Sequence, residues 1–94
     1  MRRWHLVSYD VRDDGRRRRV ARLLEGYGER LQESVFRCLL GAVELERLRW
    51  ELTRVMADED DLLVIPVCDR CADGVGGLHA KEGWERETAS FRVV

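Results

Sequence analysis

The chain has 94 residues, 45% of them hydrophobic, which suffices for one core and is too little for two. Three cysteines without framework spacing exclude a disulfide scaffold, and no apolar stretch approaches the roughly 20 residues that cross a bilayer. The opening residues lack the apolar region of a secretory leader, so a cytoplasmic protein with reduced thiols and no membrane partner is expected. The net charge of −1 conceals an asymmetry: the first forty residues carry ten arginines against six acids, and the remainder seven bases against twelve acids. Such a split suits a basic face that binds phosphates, or the ordinary fluctuation of a solvated surface.

Residues 4–10 are apolar or β-prone apart from Ser8 and the closing aspartate, which predicts a strand covered on both faces. Asp13-Asp14-Gly15 offers N-caps. Val20, Leu23, Leu24 and Tyr27 then recur at helical spacing until Gly26 and Gly28 provide a stop, a helix of about four turns. From Arg30 the period becomes two, with Leu31, Glu33, Val35, Arg37 and Leu39 on one side and Gln32, Ser34, Phe36, Cys38 and Leu40 on the other. This predicts a single strand over 30–40, with either side able to face the core. After Gly41, the spacing of Leu45, Leu48, Leu52, Val55 and Met56 predicts a second helix, and Glu44 sits early in it where a negative charge suits the dipole. The acidic turn Asp58-Glu59-Asp60-Asp61 ends that helix.

Residues 62–68 predict a third strand, in which Pro66 marks an edge, a bulge or an end because it donates no ladder hydrogen bond. Gly74, Gly76 and Gly77 interrupt any regular pattern, and only residues 91–94 again predict a strand. The expected domain is therefore single, α+β, with 72–94 as a less regular tail. Its literal element order is β-α-β-α-β-β, and two helices pack on one face of the sheet. The opposite face is left bare, so a homodimer through that face is expected, with 91–94 adding to the edge of the partner's sheet.

Asp10 falls at the carboxyl end of the first strand, where open α/β sheets place ligands, although an aspartate there also shapes or caps a loop. If a dimer axis passes nearby, two copies of Asp10 face each other, and a shared magnesium ion relieves their repulsion and activates water for phosphodiester hydrolysis. Arg16, Arg17, Arg18 and Arg19 oppose the dipole of the helix they open, so another interaction must favour them. With Arg12 and Arg22 they surround a helix N-terminus suited to a nucleic-acid backbone, or they pair with Asp13, Asp14 and Glu25. Phe36 is a candidate for base stacking and Ser34 for a phosphate contact, though alternating strand positions more often pack. Cys68-Asp69-Arg70-Cys71 has the spacing of a zinc half-site or a redox pair; His5, His79 and Cys38 are unspaced as further ligands. Trp50 and Trp84 form no recognisable pattern.

Tyr9-Asp10, the arginine-rich first helix, the segment Gln32-Glu33-Ser34-Val35-Phe36-Arg37-Cys38 and Cys68-Asp69-Arg70-Cys71 together resemble the CRISPR-associated Cas-two family, over residues 4–71. The resemblance implies a ferredoxin-like β-α-β-β-α-β homodimer of antiviral defence that acts with the Cas-one integrase in spacer acquisition. It further implies either a magnesium-dependent endonuclease on RNA or DNA, with Asp10 as the shared catalytic and metal-binding carboxylate, or a non-catalytic scaffold on duplex DNA. A toxin-like ribonuclease of similar fold is a third reading. Gly41, where a hydroxyl cap is typical, and the segment 74–87 depart from the family pattern.

Overall fold

In the computed structural model, residues 1–74 and Trp84 are described. The elements run β1 (Arg3–Asp10), α1 (Asp14–Glu25), β2 (Gly28–Gln32), β3 (Val35–Leu40), α2 (Ala42–Val55), β4 (Asp61–Val67) and a short α3 (Asp69–Asp73). One antiparallel sheet has the spatial order β2-β3-β1-β4. This is the ferredoxin-like β-α-β-β-α-β arrangement, completed by residue 67 without any contribution from the tail. The terminal strand expected at 91–94 lies outside the described residues.

Two sequence expectations are corrected. The strand foreseen over 30–40 is a hairpin, β2 and β3, that reverses at Glu33 and Ser34. Its register pairs Gly28 with Cys38, Glu29 with Arg37 and Arg30 with Phe36, then shifts by a bulge so that Gln32 meets Val35. The turn carries no local signal, because Gln32-Glu33-Ser34 contains no Gly, Pro or Asn and the alternation reads straight through it. The tight spot is at the other end of β2. A Cβ on Gly28 would sit 2.7 Å from the Cys38 sulfur and closer still to the Arg37 carbonyl, so only glycine lets the strands approach. Tyr27 likewise lies beyond α1, where its hydroxyl donates to Glu51 of α2 at 2.6 Å.

Helix ends follow their local chemistry. The Asp13 carboxylate accepts from the Arg16 N–H at 2.9 Å, an N-cap that closes the first turn of α1. Gly41 starts α2 with no side chain to cap it. The Glu44 carboxylate reaches back instead to the Gly41 N–H at 2.8 Å, which is half of a capping box.

Both long helices cover one side of the sheet. Val20, Ala21 and Leu24 of α1 and Leu48 and Leu52 of α2 pack on Val7, Tyr9, Phe36, Cys38 and Leu40. Burying each large apolar side chain contributes ~1.5–3 kcal/mol, so this cluster is the main source of stability. His5 shares the same face, buried; its Nδ1 lies 2.9 Å from the Arg3 carbonyl, and burial lowers its pKa.

The strand registers place Trp4, Leu6, Ser8 and Asp10 of β1, Val35, Arg37 and Leu39 of β3, and Leu63 and Ile65 of β4 on the opposite face. Leu63 and Ile65 are 56% and 43% exposed, which leaves an apolar strip along the β4 side. The β3 side is covered, contrary to a uniformly bare face. Trp84 lies there with its ring 5.1 Å from that of Trp4, and the Arg37 guanidinium lies over both, 5.2 Å from Trp4 and 4.9 Å from Trp84. Arg37 is 4% exposed, and its Nε and Nη1 are buried without a hydrogen-bond partner among the described residues.

Candidate active site and nucleic-acid interface

Three turns meet at the carboxyl end of β1. On one side, the Tyr9 N–H and hydroxyl donate to the carbonyls of Ser34 and Glu33, both at 3.1 Å, fastening the hairpin turn to the strand. On the other side, Asp60 gathers the loop before β4 against the loop before α1. Its carboxylate accepts from the Arg12 N–H at 3.2 Å, the Ala57 N–H at 2.9 Å and the Arg16 guanidinium at 2.9 and 3.1 Å. The Arg16 guanidinium and these N–H groups hold the Asp60 carboxyl down to about 2.

Asp10 stands in this frame, exposed, with the buried Val11 anchoring the chain directly after it. Asp61 is its directly paired residue on β4. Residues opposite each other in an antiparallel ladder share a face about 5 Å apart, so two carboxylates emerge side by side from the face that carries Leu63 and Ile65. Like charges so placed repel, and the arrangement is tolerable in water or beside a cation. Among the described residues, no three His, Cys, Asp or Glu side chains gather to hold a metal ion. One chain therefore supplies oxygen donors of the kind magnesium takes, but an incomplete set.

The arginine run divides. Arg16 pairs with Asp60 and, at 2.9 Å, with Glu59. Arg17 pairs with Asp14 and donates to the Val11 carbonyl at 3.2 Å. These two guanidiniums stitch loops together, whereas Arg18, Arg19 and Arg22 are exposed on α1 and Arg12 is exposed on the loop before it. Arg18 and Arg22 stand one turn apart on a single stripe.

Ser34 sits in the hairpin turn, half-buried. Phe36 is fully buried in the core against Tyr9, ring centroids 6.2 Å apart, with the exposed Arg30 over its ring at 5.3 Å. The stacking role expected for Phe36 is corrected: its ring presents no face to a base. Cys38 and His5 face the core, Cys68 and Cys71 are exposed, and His79 lies outside the described residues.

The sequence model described as CRISPR associated protein Cas2 matches residues 1–75. The chain belongs to the Cas2 family. It is 42% identical to the "CRISPR-associated endoribonuclease Cas2 1" of Chloroflexus aurantiacus over 74 residues, 77% of this chain and 80% of that one. The solved Streptococcus pyogenes Cas2 superposes with a TM-score of 0.73 at 30% identity, covering 80% of this chain and 98% of that chain. A chain from a structure described as a partial Cas6-RT-Cas1–Cas2 complex has the same fold, with a TM-score of 0.73 at 24% identity and coverage of 85% and 93%.

All residues of the site fall within the Cas2 match. Sequence reasoning singled out Asp10 and the basic helix as candidates and passed over Asp60 and Asp61. Their signal was present in the acidic run 58–61, which reads equally well as a helix stop. No helix among the described residues is long and apolar enough to cross a membrane.

Proposed function

We propose that this Cas2 chain acts in spacer acquisition as a cytoplasmic homodimer and cleaves RNA or DNA phosphodiesters with magnesium held by Asp10 and Asp61. The observation that carries the reading is the exposed Asp10–Asp61 pair on a sheet face whose apolar strip, Leu63 and Ile65, calls for cover. A second copy laid on that face buries the strip and doubles the carboxylates available to one ion. When bound there, magnesium polarises a phosphoryl oxygen and activates water. The chain's own contributions are to fix the two carboxylates through the Asp60 and Tyr9 latches and to hold the backbone of the nucleic acid by Arg12, Arg18 and Arg19. The name of the Chloroflexus relative agrees with endonuclease chemistry.

A second reading is a non-catalytic scaffold for the Cas1 integrase on duplex DNA. It is favoured by the two-carboxylate set of each chain and by the solved neighbour described with Cas1.

The deciding experiment measures cleavage and binding of labelled single-stranded RNA and duplex DNA, with and without magnesium, for wild type, Asp10→Asn and Asp61→Asn. Light scattering reports the oligomeric state of each. The expected result is magnesium-dependent cutting by a dimer, lost in either variant while the dimer and binding persist. Binding without cutting by the wild type establishes the scaffold, and a monomer that still cuts refutes the shared site.

A further inference from the structure

The motif that the proposed activity leaves unused is the cysteine pair after β4. We propose that Cys68 and Cys71 are a redox-active dithiol that exchanges with small disulfides of the glutathione class and closes to an intrachain disulfide. Both thiols are exposed, and their sulfurs lie 3.2 Å apart, so the bridge closes by a small rotation of the side chains. The two positions are chemically unequal. Cys68 Sγ accepts from the Cys71 N–H at 3.4 Å and lies 3.2 Å from the Cys71 sulfur, whose thiol donates to it once Cys68 ionises, so both groups favour negative charge on that sulfur. They lower the Cys68 pKa, and the Cys71 thiol is raised by the same hydrogen bond. The third thiol does not compete: Cys38 is wholly buried in the core, and burial pushes it up to about 11.

The order of events follows. The Cys68 thiolate attacks one sulfur of oxidised glutathione, its S–S bond breaks, and one glutathione thiolate leaves with a mixed disulfide formed on Cys68. Cys71 gives up its proton and attacks Cys68 Sγ, expelling the second glutathione, which takes up that proton. The first glutathione thiolate takes up the proton that Cys68 released on ionising, so the protein loses two protons and two electrons in all, and one glutathione disulfide becomes two thiols.

The test uses the full chain, reduced and treated with chelator to exclude metal. It is incubated with excess oxidised glutathione, alkylated under denaturing conditions and weighed intact. The expected result is a loss of two of the three alkylatable thiols, with a Cys68–Cys71 bridge in the peptide map. Cys38→Ser should bridge like wild type, Cys71→Ser should stop as a mixed disulfide on Cys68, and Cys68→Ser should leave Cys71 unmodified over the same time. Retention of three alkylatable thiols, a bridge between two chains, or modification of Cys71 as fast as Cys68 overturns the proposal.

Discussion

If the exposed part of α1 holds nucleic acid, its arginines must differ in what their loss does, because the structure has already committed some of them. Arg18 and Arg19 are exposed, while Arg16 is bound to Asp60 and Glu59. Each duplex phosphate neutralised contributes about 0.9 to the slope of log affinity against log salt, so Arg18→Ala with Arg19→Ala should flatten that slope by about 1.8. Between 50 and 200 mM salt, the variant's affinity should then fall roughly twelvefold less than that of wild type. Arg16→Ala should leave the slope alone and lower the thermal midpoint, because it frees the loop before β4 from α1. The assay is fluorescence anisotropy with a labelled duplex across a salt series, with melting curves for each variant. An unchanged slope in the double variant, or an equal drop for Arg16→Ala at unchanged stability, refutes this division of the helix.

Three further outcomes are expected. Gly28→Ala forces a methyl against the Cys38 sulfur and the Arg37 carbonyl and should cost ~1–3 kcal/mol in urea unfolding, with an unchanged slope. Phe36→Leu should cost about 1 kcal/mol of stability and leave binding of single-stranded RNA intact, since the ring is core; a binding loss of ~1–3 kcal/mol at full stability would instead mean that the ring meets a base. Asp60 has a folded pKa of about 2 against an ordinary 3.8, so the unfolded chain binds its proton first as pH falls. Its contribution should be complete above about pH 4 and vanish by about pH 2. Denaturant titrations should show a shallower loss in that window for Asp60→Asn, and an identical loss would remove Asp60 as its source.

Much of this fold is legible from periodicity. Val20, Ala21 and Leu24 and then Leu48 and Leu52 face the core because helical spacing and burial coincide. The hairpin was not legible, because strand alternation carries no mark of where a chain reverses unless the turn demands a special residue. Glu33 and Ser34 are not such residues, and what holds them is Tyr9, an interaction across 24 positions of sequence for the Glu33 carbonyl. Trp84 was opaque for the same reason: only the strand register shows that Trp4 and Arg37 share one face, where a distant aromatic completes the stack.

The candidate site repeats this pattern. Asp10 stood out because a carboxylate at a strand end is visible locally, and the arginine run because four cations in a row at a helix start oppose the dipole. What distinguishes Arg16 from Arg18 is absent from the run itself and comes from Asp60, which β4 places beside α1. Adjacent acids in the same turn thereby take opposite roles. Asp60, its carboxylate fully enclosed by donors, holds two loops together, whereas Asp61 begins β4 beside Asp10 with its side chain on the open face. A pleated strand turns successive side chains to opposite sides, so this one-residue step separates the acid that ties the two loops together from the acid that stands beside Asp10 on the open face. Shifting β4 by one residue would exchange them, and the register set by Val7 against Val64 and Tyr9 against Leu62 prevents it.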